Sequence, residues 1–144
     1  MNEQNTIDLL KECDAGSKMA VSAIDEIMDK VHCPDFKALL KETKEHHAAL
    51  GNDIHEELLK HHSDEKDPNP MAKSIAWLKT NMQMKIDDSD ETAADLMTDG
   101  CNMGIKSLYK YMNQYPDADH TAKELCKRLI SIEQELRKCI RPYL

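Results

Sequence analysis

Four stretches of this chain repeat apolar residues at intervals of three and four, and each repeat persists for several turns. In the last, Ala122, Leu125, Leu129, Ile132, Leu136, Cys139 and Tyr143 read as a ladder without polar interruption. Such spacing returns side chains to one face of an α-helix and gives a stripe that other helices must cover. Four stripes of this kind confine the chain to helix-on-helix packing.

The first stripe predicts a helix over 6–31, with Ile7, Leu10, Asp14, Ser17, Val21, Ile24, Met28 and Val31 on one seam. Two of those positions, Asp14 and Ser17, are polar. Pro34 suits a first helical position and Asp35 the positive end of the dipole, so VHCPDFKALL breaks the first helix and starts a second over 35–62. Phe36, Leu40, Thr43, His47, Leu50, Ile54, Leu58 and His61 face inward on it. The short link makes the two helices antiparallel neighbours.

HHSDEKDPNP then reads as a polar linker. Asn69 and Pro70 start a shorter helix over 70–86, where Met71, Met82 and Met84 flank Trp77, a mix suited to an adaptable partner surface or to a lid on the bundle. In DDSDE, Asp88 and Glu91 have capping-box spacing and open a third long helix over 90–115. Thr121 and Glu124 repeat that spacing before a fourth over 120–141. Gly100 and Gly104 each cost a helix roughly 1 kcal/mol relative to Ala, which points to close helix packing around them or, alternatively, to room for a ligand or another subunit.

Composition agrees. One Phe and one Trp beside 32% charged residues suit helices rather than sheets, and 144 residues suffice for one domain with a real core. A net charge of −8 without a basic cluster opposes binding to nucleic acid or anionic membranes. No stretch approaches the ~18 consecutive apolar residues of a spanning helix, and the acidic N-terminus is no signal peptide. Five cysteines without a CxxC argue for a reducing, cytoplasmic setting and against a zinc ribbon. On apolar helix faces they are expected to be inert.

The quoted motifs carry a resemblance. DLLKECDAGSKMAVSAIDEIMDKV, the proline-started CPDFKALLKE, and MAKSIAWLKTNMQMKI before DDSDETAADLMTDG are similar to bacterial ferritin-like four-helix proteins of unknown function, related in fold to ferritins and rubrerythrins. The likeness runs from Ile7 to Ile140. It implies an all-α ferritin-like four-helix bundle, with the short helix as a crossover between the second and third long helices. In the active members of this fold, one Glu from each of two helices and a Glu-x-x-His from each of the other two hold a pair of metals.

This sequence does not repeat that ligand set. His47 lies near the centre of the second helix's apolar face, whereas Glu45 points away from it. Lys44 precedes His47 by three residues and Thr43 precedes His46, so neither histidine completes the motif. Glu133 is followed by Leu136 rather than His, and Asp95 and Asp99 lie opposite the third stripe. What is left as metal candidates is Asp14, Glu42, His46 and His47, with iron or zinc as the ion. Asp14 and His47 are offset by about 7 Å along antiparallel helices. The plainer expectation is a hydrogen-bonded Asp14 and a core His47 satisfied by Ser17, Thr43 or water. Glu42 with His46, and Glu57 with His61, have the i, i+4 spacing of surface charge contacts that also take up Zn²⁺ or Ni²⁺ adventitiously. No nucleophile–base pair, phosphate-binding glycine loop or HExxH occurs. The expected role is non-enzymatic, in protein interaction or stress, through a partner or self-association; the alternative is divergent iron binding.

Overall fold

The computed structural model describes residues 3–62 and 89–144. Four helices make up almost all of them: α1 Glu3–Met28, α2 Pro34–Lys60, α3 Asp90–Gln114 and α4 His120–Cys139, followed by a 3₁₀ turn, Arg141–Tyr143. Among the described residues there is no strand, and no helix is long and apolar enough to cross a membrane. The linker, the short helix expected over 70–86 and Trp77 lie outside the described residues.

Helix ends depart from expectation for local reasons. α1 stops at Met28 because the chain tightens, with Lys30 N–H donating to the Ile27 carbonyl and Val31 N–H to that of Met28. α4 stops at Cys139 because Pro142, three residues further on, has no N–H to continue the ladder. The caps differ from the expected Asp88, which lies outside the described residues, and from Thr121. Ser89 caps α3, its hydroxyl accepting from Thr92 N–H, and Asp119 caps α4, its carboxylate accepting from Ala122 N–H. Each is the residue held in extended backbone just outside its helix, which a capping side chain requires.

The helix directions follow from contacts at the two ends. At one end the Asp90 carboxylate accepts from His32 N–H at 2.7 Å and Cys33 N–H at 2.8 Å, holding the start of α3 against the turn between α1 and α2. Tyr143, just beyond α4, stacks on Phe36 at this same end, with ring centroids 4.5 Å apart. At the other end Asp119 N–H donates to the Thr6 hydroxyl. Thus α1 runs parallel to α4 and α2 parallel to α3, while α1 and α2, and likewise α3 and α4, are antiparallel. His62 and Ser89 therefore stand at opposite ends of the bundle.

The core forms two apolar clusters. Leu9, Cys13, Ile54, Leu58 and Leu125 belong to one, and Ile24, Phe36, Leu40, Met97 and Leu136 to the other. Where they meet, the stripes change character. Asp14 and Ser17 on α1, Thr43 and His47 on α2 and Glu133 on α4 are all buried. Apart from Thr6, they are the buried polar side chains of the described residues.

The polar interruption on α4 corrects the ladder read from the sequence. Ile132 is only partly buried and Glu133 takes the inward position. A heptad frame drifts by ~20° per repeat on a straight helix, so a stripe begun at Ala122 moves onto the following residue further along. Glu133 lies three turns after Ala122 and within about 20° of its direction.

Candidate functional site

α2 delivers His47 into the centre of the bundle, where its side chain is wholly buried. Its Nδ1 lies 2.9 Å from the Thr43 carbonyl oxygen, one turn back on the same helix. A carbonyl only accepts, so Nδ1 carries hydrogen. Nε2 lies 2.6 Å from Glu133 Oε1 on α4, a distance that places one proton between imidazole and carboxyl. The ring is therefore fixed at both nitrogens, and it ties α2 to α4.

α3 closes the other side of Glu133. A β-carbon added at Gly104 would stand 3.7 Å from Glu133 Oε2, an ordinary contact, so a longer side chain there would run into the carboxyl group. Close packing at Gly104, expected from the sequence, is thus directed at a polar group. One turn earlier, Cys101 is buried. Burial first, and then the charge of Glu133 and a hydrogen bond to it, hold the Cys101 thiol well above its ordinary pKa. It remains a protonated donor. His47, Glu133 and Cys101 bring three helices to one carboxylate.

Asp14 takes no part in this group. It is buried, with Oδ2 2.7 Å from Lys18 Nζ on the next turn, and the lysine reaches out to solvent. Ser17 donates to the Asp14 carbonyl, so it is not the partner of His47. Glu42 and His46 are exposed on α2 and line a groove of about 300 Å³ against α4, together with Leu39, Ile132 and Cys139. The four candidate ligands read from the sequence are therefore distributed over three places: Asp14 with Lys18, His47 with Glu133, and Glu42 with His46 on the surface. The expectation that His47 is satisfied by Thr43 holds for the Thr43 carbonyl. Glu133, its other partner, enters the sequence reading only as half of a Glu-x-x-His pair, which does not reveal it as a partner of His47. A straight-helix period on α4 would have placed it inward.

Among the described residues, the group of three or more His, Cys, Asp and Glu side chains with ligand atoms all within 4.8 Å of one another is Glu57, His61 and Asp119, at the end of the bundle away from Asp90. Its second member sits on the last turn boundary of α2 and its third is the α4 cap.

No family model, no curated protein and no solved structure matches this chain.

The cysteines give a direct check on the interior. Cys13, Cys101 and Cys126 are buried, and Cys33 and Cys139 are partly exposed. Contact with Cys126, together with burial, raises the Cys13 pKa, and a hydrogen bond to Glu135 raises that of Cys139. An upward shift lowers the thiolate fraction at any given pH, and thiolate is the reactive form. At pH 8 an aromatic disulfide reagent is expected to react promptly with Cys33 and slowly with Cys139, and to reach the other three only in denaturant. A second prompt thiol, removed by Cys101→Ser, would contradict the closed interior.

Proposed function

We propose that this chain is a ferritin-like bundle that acts through protein association, with a partner or with itself, and that its interior polar layer is structural. One observation carries the reading: among the described residues, no buried side-chain nitrogen or oxygen lacks a hydrogen-bond partner. Interior groups that close on one another leave no donor waiting for a substrate, which moves the functional surface to the outside of the bundle. The ferritin-like topology is supported by the parallel run of α2 and α3, since such an arrangement needs a long connection between the ends of the bundle. The charge of −8 favours partners without an anionic backbone.

A second reading, iron or zinc held inside the bundle, is favoured by one feature. The Thr43 carbonyl fixes Nδ1 of His47 and aims Nε2 at Glu133, the arrangement of a ligating imidazole with its orienting partner. In this reading Glu133 takes the place of Asp14, Glu42 and His46. Two donors fall short of the three or more protein ligands that zinc ordinarily takes, which is why the structural reading is preferred.

Anaerobic purification with Fe²⁺, followed by elemental analysis and by size-exclusion chromatography with light scattering, separates the two. The expected result is a discrete assembly without interior iron, unchanged in size when His47 and Glu133 are both replaced by leucine. An iron-loaded cage, or stoichiometric iron lost on His47→Ala, would overturn the association reading.

A further inference from the structure

The end of the bundle opposite Asp90 gathers four charged or ligating side chains from three helices. His61 follows the last residue of α2 and Glu57 lies one turn before it. Asp119 precedes α4, and Glu3 is the first residue of α1. His61 Nε2 lies 3.9 Å from Glu57 Oε1 and 3.8 Å from Asp119 Oδ2. Both distances are too long for hydrogen bonds, yet the three atoms surround a common point. An ion equidistant from three atoms so spaced would sit roughly 2.0–2.5 Å from each, which reaches the Zn–N and Zn–O bond lengths with a small inward adjustment at most.

The remaining atoms of these groups are already engaged, and in ways that turn the ligand atoms toward that point. Asp119 Oδ1 accepts from Ala122 N–H at 2.8 Å, and the Asp119 N–H donates to Thr6, so the carboxylate is held with Oδ2 outward from the cap. Glu57 Oε2 faces Lys60 Nζ at 3.4 Å, leaving Oε1 toward His61. On the far side of the ring, His61 Nδ1 lies 3.4 Å from Glu3 Oε1. A carboxylate behind the imidazole, with the other nitrogen facing the metal position, is the usual support of a ligating histidine. The ligand side chains are also sheltered, with exposures of 20% for His61, 16% for Glu57 and 25% for Asp119.

We propose that Glu57, His61 and Asp119 bind one divalent transition cation of the zinc class at this end of the bundle, with Glu3 orienting His61. One imidazole and two carboxylates suit Zn²⁺ and Co²⁺, whereas the imidazole disfavours Mg²⁺ and Ca²⁺. Three protein ligands leave a coordination position for water or for a group from another molecule. The ion joins the end of α2 to the start of α4 and, through Glu3, to the start of α1. This site is separate from His47 and Glu133, so it stands or falls independently of the association reading.

The test uses the whole chain, first freed of metal with a chelator and then titrated with Zn²⁺ against a chromophoric competitor. Circular dichroism follows each variant. The expected result is one Zn²⁺ per chain in the native protein, weakened tenfold or more by His61→Ala and by Asp119→Ser. Glu3→Gln should weaken it less. Serine keeps the α4 cap while removing the ligand oxygen, so its effect is not one of unfolding. His47→Ala and His46→Ala should leave the affinity unchanged. Co²⁺ in place of Zn²⁺ should give a visible spectrum that disappears with His61. Equal binding by the native chain, His61→Ala and Asp119→Ser would mark adventitious surface uptake and overturn the proposal. So would absence of binding, or binding abolished by His46→Ala.

Discussion

Replacing His47 by leucine is expected to destabilise the bundle by about 3–5 kcal/mol, because it leaves the Glu133 carboxyl buried without its partner. Glu133→Leu should cost a similar amount, since Nε2 of a wholly buried ring is then left facing hydrocarbon. The two losses should not add. With both residues changed to leucine, only the weak Cys101 thiol donor loses its acceptor and the apolar volume is largely restored, so stability should return to within about 1 kcal/mol of the native chain or exceed it. Urea melts of the four proteins of this cycle measure the coupling directly. Additive losses would show that the short contact between imidazole and carboxyl is not formed in solution. This outcome differs from the one the sequence suggests: a core histidine satisfied by Ser17, Thr43 or water would be replaced by leucine at little cost.

Phe36→Ala should produce the other large effect, a loss of about 3–5 kcal/mol. Phe36 is wholly buried in the first turns of α2, and its ring lies nearly parallel to that of Tyr143, with 5° between planes. Removing it opens a cavity between α2 and the end of α4 and releases the C-terminal turn. Tyr143→Ala removes the stacking and the partial burial of the tail, so its cost should be smaller, about 1–2 kcal/mol. Once Phe36 is gone, the Tyr143 change should have little further effect. Thermal or chemical melts give the energies, and carboxypeptidase digestion reads the tail directly. A Phe36→Ala variant that melts like the native chain would exclude this packing.

What the sequence makes legible is what one helix can report about itself. The four helices, the Pro34 start, the inward Asp14, Ser17 and His47 and the outward Glu45, Asp95 and Asp99 all follow from angular position, and the structure agrees at each. Pairings between helices are another matter. Whether His47 meets Glu133 depends on how far α4 is displaced along α2, and 86 residues separate the two in the chain. A fixed heptad frame hides the drift of the α4 stripe and favours Ile132 over its neighbour. The capping-box spacing of Thr121 and Glu124 masks Asp119 as the α4 cap, and with it the approach of Asp119 to His61. The i, i+4 pair Glu57–His61 is visible in the sequence, but the Glu3 and Asp119 carboxylates that complete its surroundings come from distant parts of the chain.

The single polar layer between two apolar clusters has a consequence for alignment. Leucine and isoleucine side chains are nearly interchangeable along a stripe, so a slip of α4 past α2 by one turn, ~5.4 Å, would exchange one set of hydrocarbon contacts for another of similar worth. The same slip would separate His47 from Glu133 and oppose each to an apolar neighbour, a penalty of several kcal/mol. The pair thus acts as an index mark. It adds little to the aligned bundle that two leucines would not supply, but it makes the displaced packings much less stable and so selects one register from several.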